Sequence, residues 1–321
     1  MRQNTIKDKI SFEGVGLHSG ELVQITLEPA PENTGIVFVR ENDKIPALYN
    51  KVSNTMLGTT IADKSEVLTI EHLMASMWSS GIDNVYIKID NKETPIMDGS
   101  AMLFIQEIQK AGIQEQDANR KFLVIKKDIV YQDNKKLLKI TPSDDFNIDM
   151  EIDFNYGGIG RQTYFFDGRE ETFVKEIAFA RTFCNFAEIE NMKKIGFAKG
   201  GYVDLVEDIN QTKKDIPLFF KIFNLFKKTK KQDLSEIEKL VEAGKIIENA
   251  AVYDDNKILN KSGLRCKDEV VRHKLLDLVG DLYTSGYHIK GSVKAVWSGH
   301  TVHNKFLQLL FSDKNNYAIE E

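Results

Sequence analysis

Polar and apolar positions change their spacing near residue 70. Before it, the pattern predicts strands at 9–15, 22–27 and 36–39, separated by turns that contain glycine or proline. After it, apolar residues at 70, 73, 74, 77 and 78 lie three or four apart, which predicts a buried helix that ends at Gly81. The chain therefore begins with a sheet and continues with a helix.

The order helix, glycine, strand, helix occurs twice along the chain. The first copy comprises the helix at 70–78, a strand at 84–90 and a helix that begins near Asp98. The second comprises a helix at 269–283, a strand at 288–296 and a helix at 302–311. We therefore predict an α+β fold of two similar domains, each an open sheet covered by helices.

Between the copies, residues 113–120 are nearly all polar and indicate a domain boundary. The predicted domains are residues 1–115 and 121–321. The second domain begins with strands at 122–132, 135–141 and 146–154, followed by a helix at 170–180. We expect the functional site where the helices of both halves meet.

Composition narrows the class of protein. Charged residues make up 28% of the 321 residues and the net charge is -5, which gives no electrostatic reason to expect a nucleic-acid partner. Two cysteines are too few for a disulfide framework or a cysteine-built zinc site, so we expect the cytoplasm. No stretch reaches the length of about 20 apolar residues that a membrane span needs.

The clearest candidates for metal-binding residues lie on the helix at 269–283. His273 and Asp277 are four residues apart, so an imidazole and a carboxylate lie on one face and can bind one metal ion. Asp281 is one turn further along and could orient a histidine from elsewhere. The spacing alone is explained about equally well by an amphipathic helix on which His273 and Asp277 merely pair at the surface.

Two other segments supply the remaining groups. His72 can be a third metal ligand while Glu71 faces the water on that metal, although such a pair also begins ordinary helices. His300 follows a strand and precedes a helix, where a loop residue can enter a cleft or merely cap the helix. Three ligands, a base and a spare histidine match the needs of zinc amide hydrolysis, with Glu71 as base and His300 as acid.

A series of ordered motifs also runs along nearly the whole chain. These motifs are residues 11–20 (SFEGVGLHSG), 29–35 (PAPENTG), 69–73 (TIEHL), 93–101 (ETPIMDGSA), 180–183 (ARTF), 196–201 (GFAKGG), 273–281 (HKLLDLVGD) and 298–305 (SGHTVHNK). In these motifs the chain resembles the UDP-3-O-acyl-N-acetylglucosamine deacetylase family of the lipid A pathway. The resemblance implies removal of the N-acetyl group from this UDP-linked sugar, with release of acetate, as the committed step of lipid A biosynthesis.

The resemblance also implies roles for single residues. His72, His273 and Asp277 would bind catalytic zinc, with Glu71 as the general base. His300 would be the catalytic histidine, held by Asp281. Thr182 would help to stabilise the oxyanion, and Lys274 would contact the substrate near its diphosphate. The implied fold is two domains of β-α-α-β type whose helices pack between two outer sheets.

In the family, an inserted unit of the second domain forms an apolar passage for the acyl chain. Here that unit would be residues 184–255, and the residues expected to line the passage are Phe183, Phe186, Ile189, Ala250 and Val252. Ordinary core packing is nearly as good an interpretation of these five. The unit contains an extra segment, 202–247, whose basic amphipathic part at 216–231 predicts either peripheral contact with the inner membrane or a cover over the passage.

Several alternatives stay open from the sequence. Two histidines and a carboxylate also describe iron(II) sites, so Fe²⁺ is an alternative to Zn²⁺. The substrate could be another UDP-sugar or a glycolipid, or the chain could be a lipid- or nucleotide-binding relative without catalysis. Family precedent suggests a monomer.

Overall fold

The strands of the two halves of the chain form separate sheets. The fold is that of a computed structural model, which describes residues 1–155, 158–203, 248–254 and 257–321. The strands of the first half are β1 (Arg2–Ile6), β2 (Ile10–Val15), β3 (Leu22–Pro29), β4 (Ile36–Arg40), β5 (Asp43–Pro46), β6 (Val52–Asn54), β7 (Thr60–Ala62), β8 (Glu66–Val67), β9 (Val85–Ile89) and β10 (Ile113–Asn119). Five of them form a sheet in the order β2-β3-β9-β4-β5, in which only the β4 and β9 pair is parallel.

The second half builds a larger sheet around one long central strand. Its strands are β11 (Phe122–Ile125), β12 (Ile129–Asp133), β13 (Lys136–Thr141), β14 (Phe146–Phe154), β15 (Gly160–Phe166), β16 (Phe183–Asn185), β17 (Ala251–Tyr253), β18 (His288–Val296) and β19 (Tyr317–Glu320). Strand β18 pairs with β11, β13 and β14 in a seven-stranded sheet. Strands β16 and β17 form a separate parallel pair.

Six α-helices occur in the described part of the chain. They are α1 (Glu71–Ser79), α2 (Met102–Ala111), α3 (Glu170–Glu176), α4 (Phe186–Lys194), α5 (Glu269–Tyr283) and α6 (His300–Phe311). Every residue of α1 is buried, because this helix packs against α5, α2 and α3. Helix α5 in turn contacts α6 and strands β14 and β15 of the second sheet. Helices of both halves therefore meet, and the mixed α and β content agrees with the predicted α+β class.

The contact between α1 and α5 is unusually close. A Cβ atom added to Gly280 would lie 2.0 Å from the carbonyl oxygen of Glu71. Only a residue without a side chain allows the two helix backbones to approach in this way. The first turn of α1 is thereby held beside the second half of α5.

Some segments differ from the sequence predictions. Residues 113–120, for which no strand was predicted, include strand β10, which pairs antiparallel with β1 at the start of the chain; the domain boundary there stays a prediction. The helix predicted at 170–180 ends at Glu176. His300 is the first residue of α6 and not a loop residue. Among the described helices, none combines the length and the apolar character that crossing a bilayer requires.

Candidate active site

Two helices supply most of the candidate site. Glu71 and His72 form the start of α1, and both side chains point into the interface with α5. On α5, His273, Asp277 and Asp281 follow one another at intervals of four residues on the same face. All five residues are at most 4% exposed, so they form a polar group inside the protein.

His72, His273 and Asp277 form what we call the ligand cluster. The Nε2 atom of His72 lies 3.6 Å from Oδ1 of Asp277, and Nε2 of His273 lies 3.4 Å from the same oxygen. One potential ligand atom from each residue lies within 4.8 Å of the other two. The two imidazole rings meet edge to face, with ring centres 5.1 Å apart.

These three residues fit a bound metal ion. Tetrahedral ligands at 2.0–2.1 Å from zinc are about 3.3 Å from one another, close to the separations in the ligand cluster. Nδ1 of His273 lies 3.1 Å from the carbonyl oxygen of Ala180, so it carries the proton and leaves the Nε2 lone pair facing the cluster. Burial lowers the pKa of His273 to about 4, which keeps its imidazole neutral, as a metal ligand must be.

Lys274 contacts the ligand cluster directly. Its Nζ donates a hydrogen bond to Oδ2 of Asp277 at 2.7 Å, leaving Oδ1 to face the two histidines. Burial alone would lower the pKa of Lys274, but Asp277 outweighs it and the pKa is raised, so the group stays cationic. Burial alone would raise the pKa of Asp277, yet His273 and Lys274 hold it well below its usual value. Asp277 is therefore an anion.

Glu71 lies beside the ligand cluster. Its carboxylate, Asp277 and His300 each offer an atom within 4.8 Å of the others. The backbone N–H of Thr59 donates to Oε2 of Glu71 at 2.8 Å, which fixes the orientation of the carboxylate. Burial raises the pKa of Glu71, more than the nearby histidines lower it, and a carboxylate with a raised pKa is a better proton acceptor.

Asp281, His300 and His303 form a second group, which we call the paired-histidine cluster. Nδ1 of His300 and Nδ1 of His303 lie 2.7 and 2.6 Å from the same oxygen, Oδ2 of Asp281. The hydroxyl of Thr59 donates to the other oxygen at 2.5 Å. Burial alone would lower the pKa of His300, but Asp281 outweighs it and raises the pKa to about 9. His300 is therefore protonated at neutral pH.

No role was predicted from the sequence for His303 or Thr59. The signal for His303 was its spacing of three residues from His300 within the motif at 298–305, which puts both rings on one face of a helix. Thr59 lies far from Asp281 in the chain, and no periodicity points to it. Both residues enter the site only through tertiary contacts.

Three residues near the site have a strained backbone conformation. Leu57, Thr69 and Trp297 have φ angles of 62°, 61° and 53°, in the left-handed region that side chains disfavour. Leu57 and Thr69 lie two residues from Thr59 and Glu71, and Trp297 precedes Ser298. Such residues cost about 1–3 kcal/mol each and persist where the surrounding structure holds them.

Thr182 and Phe183 follow a segment that is fixed to α5. The buried guanidinium of Arg181 binds the carboxylate of Glu269, with Nε 2.8 Å from Oε1. The backbone N–H of Thr182 donates to the carbonyl of Gly99 at 2.8 Å. The ring of Phe183 lies edge-on to His273, with centres 6.1 Å apart. The segment thus reaches the edge of the ligand cluster.

The five residues predicted to line an acyl passage are divided between two places. Ile189, Ala250 and Val252 belong to a small apolar cluster, and Phe186 packs against it. Phe183 packs instead against the main core. This small apolar cluster is separate from the main core, as expected if it belongs to an inserted unit. The 216–231 segment lies outside the described residues.

A cavity of about 240 Å³ opens beside the site. Lys274 and the residues that precede His300 form part of its wall. The lining residues are Lys136, Ile152, Asp153, Phe154, Lys274, Trp297, Ser298 and Gly299. Lys136 and Asp153 carry opposite charges, and the Lys274 ammonium is already paired with Asp277.

Comparison with known proteins decides the family. The sequence profile of the LpxC family, UDP-3-O-acyl N-acetylglycosamine deacetylase, matches residues 3–213 and 228–312. The chain belongs to this family. Deacetylases of this name from Pasteurella multocida and Histophilus somni are each 38% identical to it, over 98% of this chain and 91% of theirs. That of Hahella chejuensis is also 38% identical, over 99% of this chain and 93% of its own.

The resemblance predicted from the motifs is thus confirmed. The family profile leaves residues 214–227 unmatched, and these lie inside the predicted extra segment 202–247. Residues 204–247 of that segment are outside the described part of the chain.

Proposed function

We propose that this protein hydrolyses the N-acetyl group of UDP-3-O-acyl-N-acetylglucosamine at a metal centre formed by His72, His273 and Asp277. The deacetylase function predicted from the sequence is confirmed by the family to which the chain belongs. The roles of single residues are our proposal. The observation that carries them is the convergence of three ligand atoms beside a buried carboxylate and a carboxylate-bound histidine.

We propose zinc as the metal, with iron(II) as the alternative that the same ligand set allows. When bound, the ion supplies Lewis acidity, which makes water acidic enough to lose a proton near neutral pH. His72, His273 and Asp277 hold it as neutral or anionic ligands. Lys274 keeps Asp277 oriented through its 2.7 Å hydrogen bond.

Glu71 acts as the general base. It takes a proton from water as the water oxygen bonds to the acetyl carbon, and its raised pKa supports this transfer. His300 then gives a proton to the amide nitrogen as the carbon–nitrogen bond breaks. The products are acetate and the amino sugar in its ammonium form, and the proton taken up by Glu71 returns to His300, so atoms and charge balance.

Two further groups stabilise the negative charge that develops on the acetyl carbonyl oxygen. The imidazolium of His300, held by Asp281, faces the site as a cation and stabilises the oxyanion before it gives up its proton. Thr182 is proposed as a hydroxyl donor to the same oxyanion. Both act only as charge develops, so they contribute to kcat and not to substrate binding.

We propose that the rest of the substrate binds at two features of the second half of the chain. The diphosphate is proposed to bind in the cavity lined by Lys136 and Lys274. The acyl chain is proposed to pack near the apolar cluster that contains Ile189, Ala250 and Val252, with Phe186 and Phe183 towards the site. A substrate spanning both features would have its N-acetyl group near Glu71.

The domain arrangement, the oligomeric state and the cellular location are also proposals. We propose two β-α-α-β domains with their helices between the sheets, a monomeric enzyme, and a cytoplasmic step that commits material to lipid A. Membrane contact through 216–231 stays a prediction from sequence, because these residues lie outside the described part of the chain.

Acetate release tests the function directly. Protein reconstituted with zinc or with iron(II) is incubated with acylated UDP-N-acetylglucosamine of two or three chain lengths and with the non-acylated sugar. We expect acetate from the acylated substrates and much less from the non-acylated one. Tight substrate binding without acetate would favour a binding protein, and equal turnover of both sugars would favour a different substrate.

A further inference from the structure

A second histidine binds the carboxylate that holds His300. His303 is one turn along α6 from His300, and its ring is fully buried, whereas the His300 side chain is 14% exposed. The two ring centres are 6.1 Å apart. His303 therefore lies behind His300, out of reach of a substrate.

Both ring nitrogens of His303 have partners. Nδ1 lies 2.6 Å from Oδ2 of Asp281, and Nε2 lies 3.0 Å from Oγ of Ser298. An ionised carboxylate only accepts hydrogen bonds, so Nδ1 of His303 must carry a proton. Burial lowers the pKa of His303 despite Asp281, so the ring is neutral and Nε2 accepts from the serine hydroxyl. The contacts thus select one tautomer.

Three donors then converge on Asp281. Thr59 binds one oxygen, and His303 and His300 share the other. Without His303, the shared oxygen would keep only His300 among these donors, and Thr59 would still hold the other oxygen. The carboxylate would then be held less firmly about its terminal torsion. Since His300 is oriented by this oxygen, a turn of Asp281 moves its ring as well.

We propose that His303 is a positioning residue for the deacetylation, which fixes the Asp281 carboxylate so that His300 keeps its orientation and its Nδ1 proton. The proposal rests on the proposed function in so far as His300 acts on the substrate. The hydrogen bonds themselves are independent of that function. A buried histidine with a purely structural role would also need hydrogen-bond partners. It would not need to bind the same carboxylate oxygen as His300.

Two substitutions separate the hydrogen bond from packing. His303→Leu removes the donor and keeps an apolar side chain in the core. His303→Asn places an amide nitrogen close to the position of Nδ1 and so can restore the bond to Asp281. As a matched control, Asn304→Leu removes the neighbouring buried polar group of α6, which donates to the carbonyl of Tyr49 and does not contact Asp281.

Kinetics with acylated UDP-N-acetylglucosamine give the first readout. We expect His303→Leu to lower kcat by about 10- to 100-fold, as loss of an orienting partner commonly does, with KM nearly unchanged. His303→Asn should recover most of the loss, and Asn304→Leu should keep kcat. Thermal unfolding of all three shows whether each variant is folded. Equal kcat in His303→Leu and Asn304→Leu, or no recovery in His303→Asn, would overturn the proposal.

The second readout does not depend on turnover. The chain has six histidines, so spectra of protein labelled with ¹⁵N-histidine can be assigned by single substitutions. In the wild type we expect His303 as the Nδ1-protonated tautomer, and in His303→Leu a changed Nδ1 signal of His300. An unchanged His300 signal would refute the positioning role even if the enzyme is active. Absence of turnover in the wild type would instead count against the proposed function alone.

Discussion

The ligand cluster and the paired-histidine cluster are built from the same residue types, two histidines and one aspartate. Both aspartates lie on α5, four residues apart, and either group has ligand atoms close enough to bind a cation. They differ in the ring nitrogen that faces the carboxylate. In the ligand cluster it is Nε2 at 3.4 and 3.6 Å, and in the paired-histidine cluster it is Nδ1 at 2.6 and 2.7 Å.

This difference separates two kinds of chemistry. Atoms 2.6–2.7 Å apart share a proton in a hydrogen bond, whereas two ligands of one zinc ion lie about 3.3 Å apart. His273 directs its protonated nitrogen to a backbone carbonyl and its lone pair to the cluster. His300 and His303 direct their protons to Asp281. We therefore propose that residues of equal composition form one metal site and one proton-handling site.

His273→Ala should have the largest effect, because it removes a ligand from the metal site. We expect loss of bound metal and a fall in kcat of more than about 10³-fold, since losing one transition-state donor alone costs about 10²–10³-fold. Metal analysis and acetate release measure the two effects. If the variant retained a full equivalent of zinc, the ligand cluster would not be the metal site.

Asp281→Asn tests the paired-histidine cluster. The amide oxygen can still accept from both histidines, but it carries no negative charge, and the amide nitrogen cannot accept from the Thr59 hydroxyl. We therefore expect kcat to fall by about 10²–10⁴-fold, the usual range for general acid–base groups. The metal content should stay at the wild-type level, in contrast to His273→Ala. Loss of metal here would mean that the two clusters are not distinct in function.

Gly280→Ala tests the helix contact that brings both clusters together. The added methyl group would meet the carbonyl oxygen of Glu71, so α1 and α5 must move apart. We expect a loss in free energy of unfolding of about 1–3 kcal/mol, typical of overpacking, together with weaker metal binding. Leu278→Ala on the same helix serves as control, because it destabilises by about 2–5 kcal/mol without separating the helices. Equal metal affinity in both variants would contradict this account.

The smallest expected effect is a shift in the pKa of His300. In metal-free protein this pKa is expected at about 9, so the imidazolium is present below that pH and lost above it. Asp281→Asn removes the anion that raises the pKa most and leaves the burial that lowers it, while Glu71 and Asp277 still raise it, so the pKa should fall. Binding of zinc should also lower it, since a nearby cation disfavours the charged ring. Titration by ¹⁵N NMR measures each shift, and a pKa unaffected by Asp281→Asn would be inconsistent with the ion pair.

Local periodicity was sufficient for much of the fold and for part of the site. The stripe at 70–78 predicted α1, and alternation predicted β2 and β3. The spacing of His273, Asp277 and Asp281 put them on one helical face, where the structure has them. These features depend only on the geometry of a single helix or strand.

Features that depend on distant pairing were not predictable in this way. The polar residues 113–119 form a strand only because β1 lies beside them. Phe183 and Phe186 are three residues apart, yet one packs with the main core and the other with the small apolar cluster. No pattern along the chain distinguishes them.

The sequence by itself determined which side chains can bind a metal or transfer a proton, and, through its motifs, the family to which the chain belongs. Only the tertiary structure decided that His303 and Thr59 join Asp281, and which nitrogen of each imidazole faces a carboxylate. The physical reason is that a neutral histidine can adopt either tautomer in the unfolded chain. Their roles are assigned by partners such as the Ala180 carbonyl and the Ser298 hydroxyl, which folding brings into place.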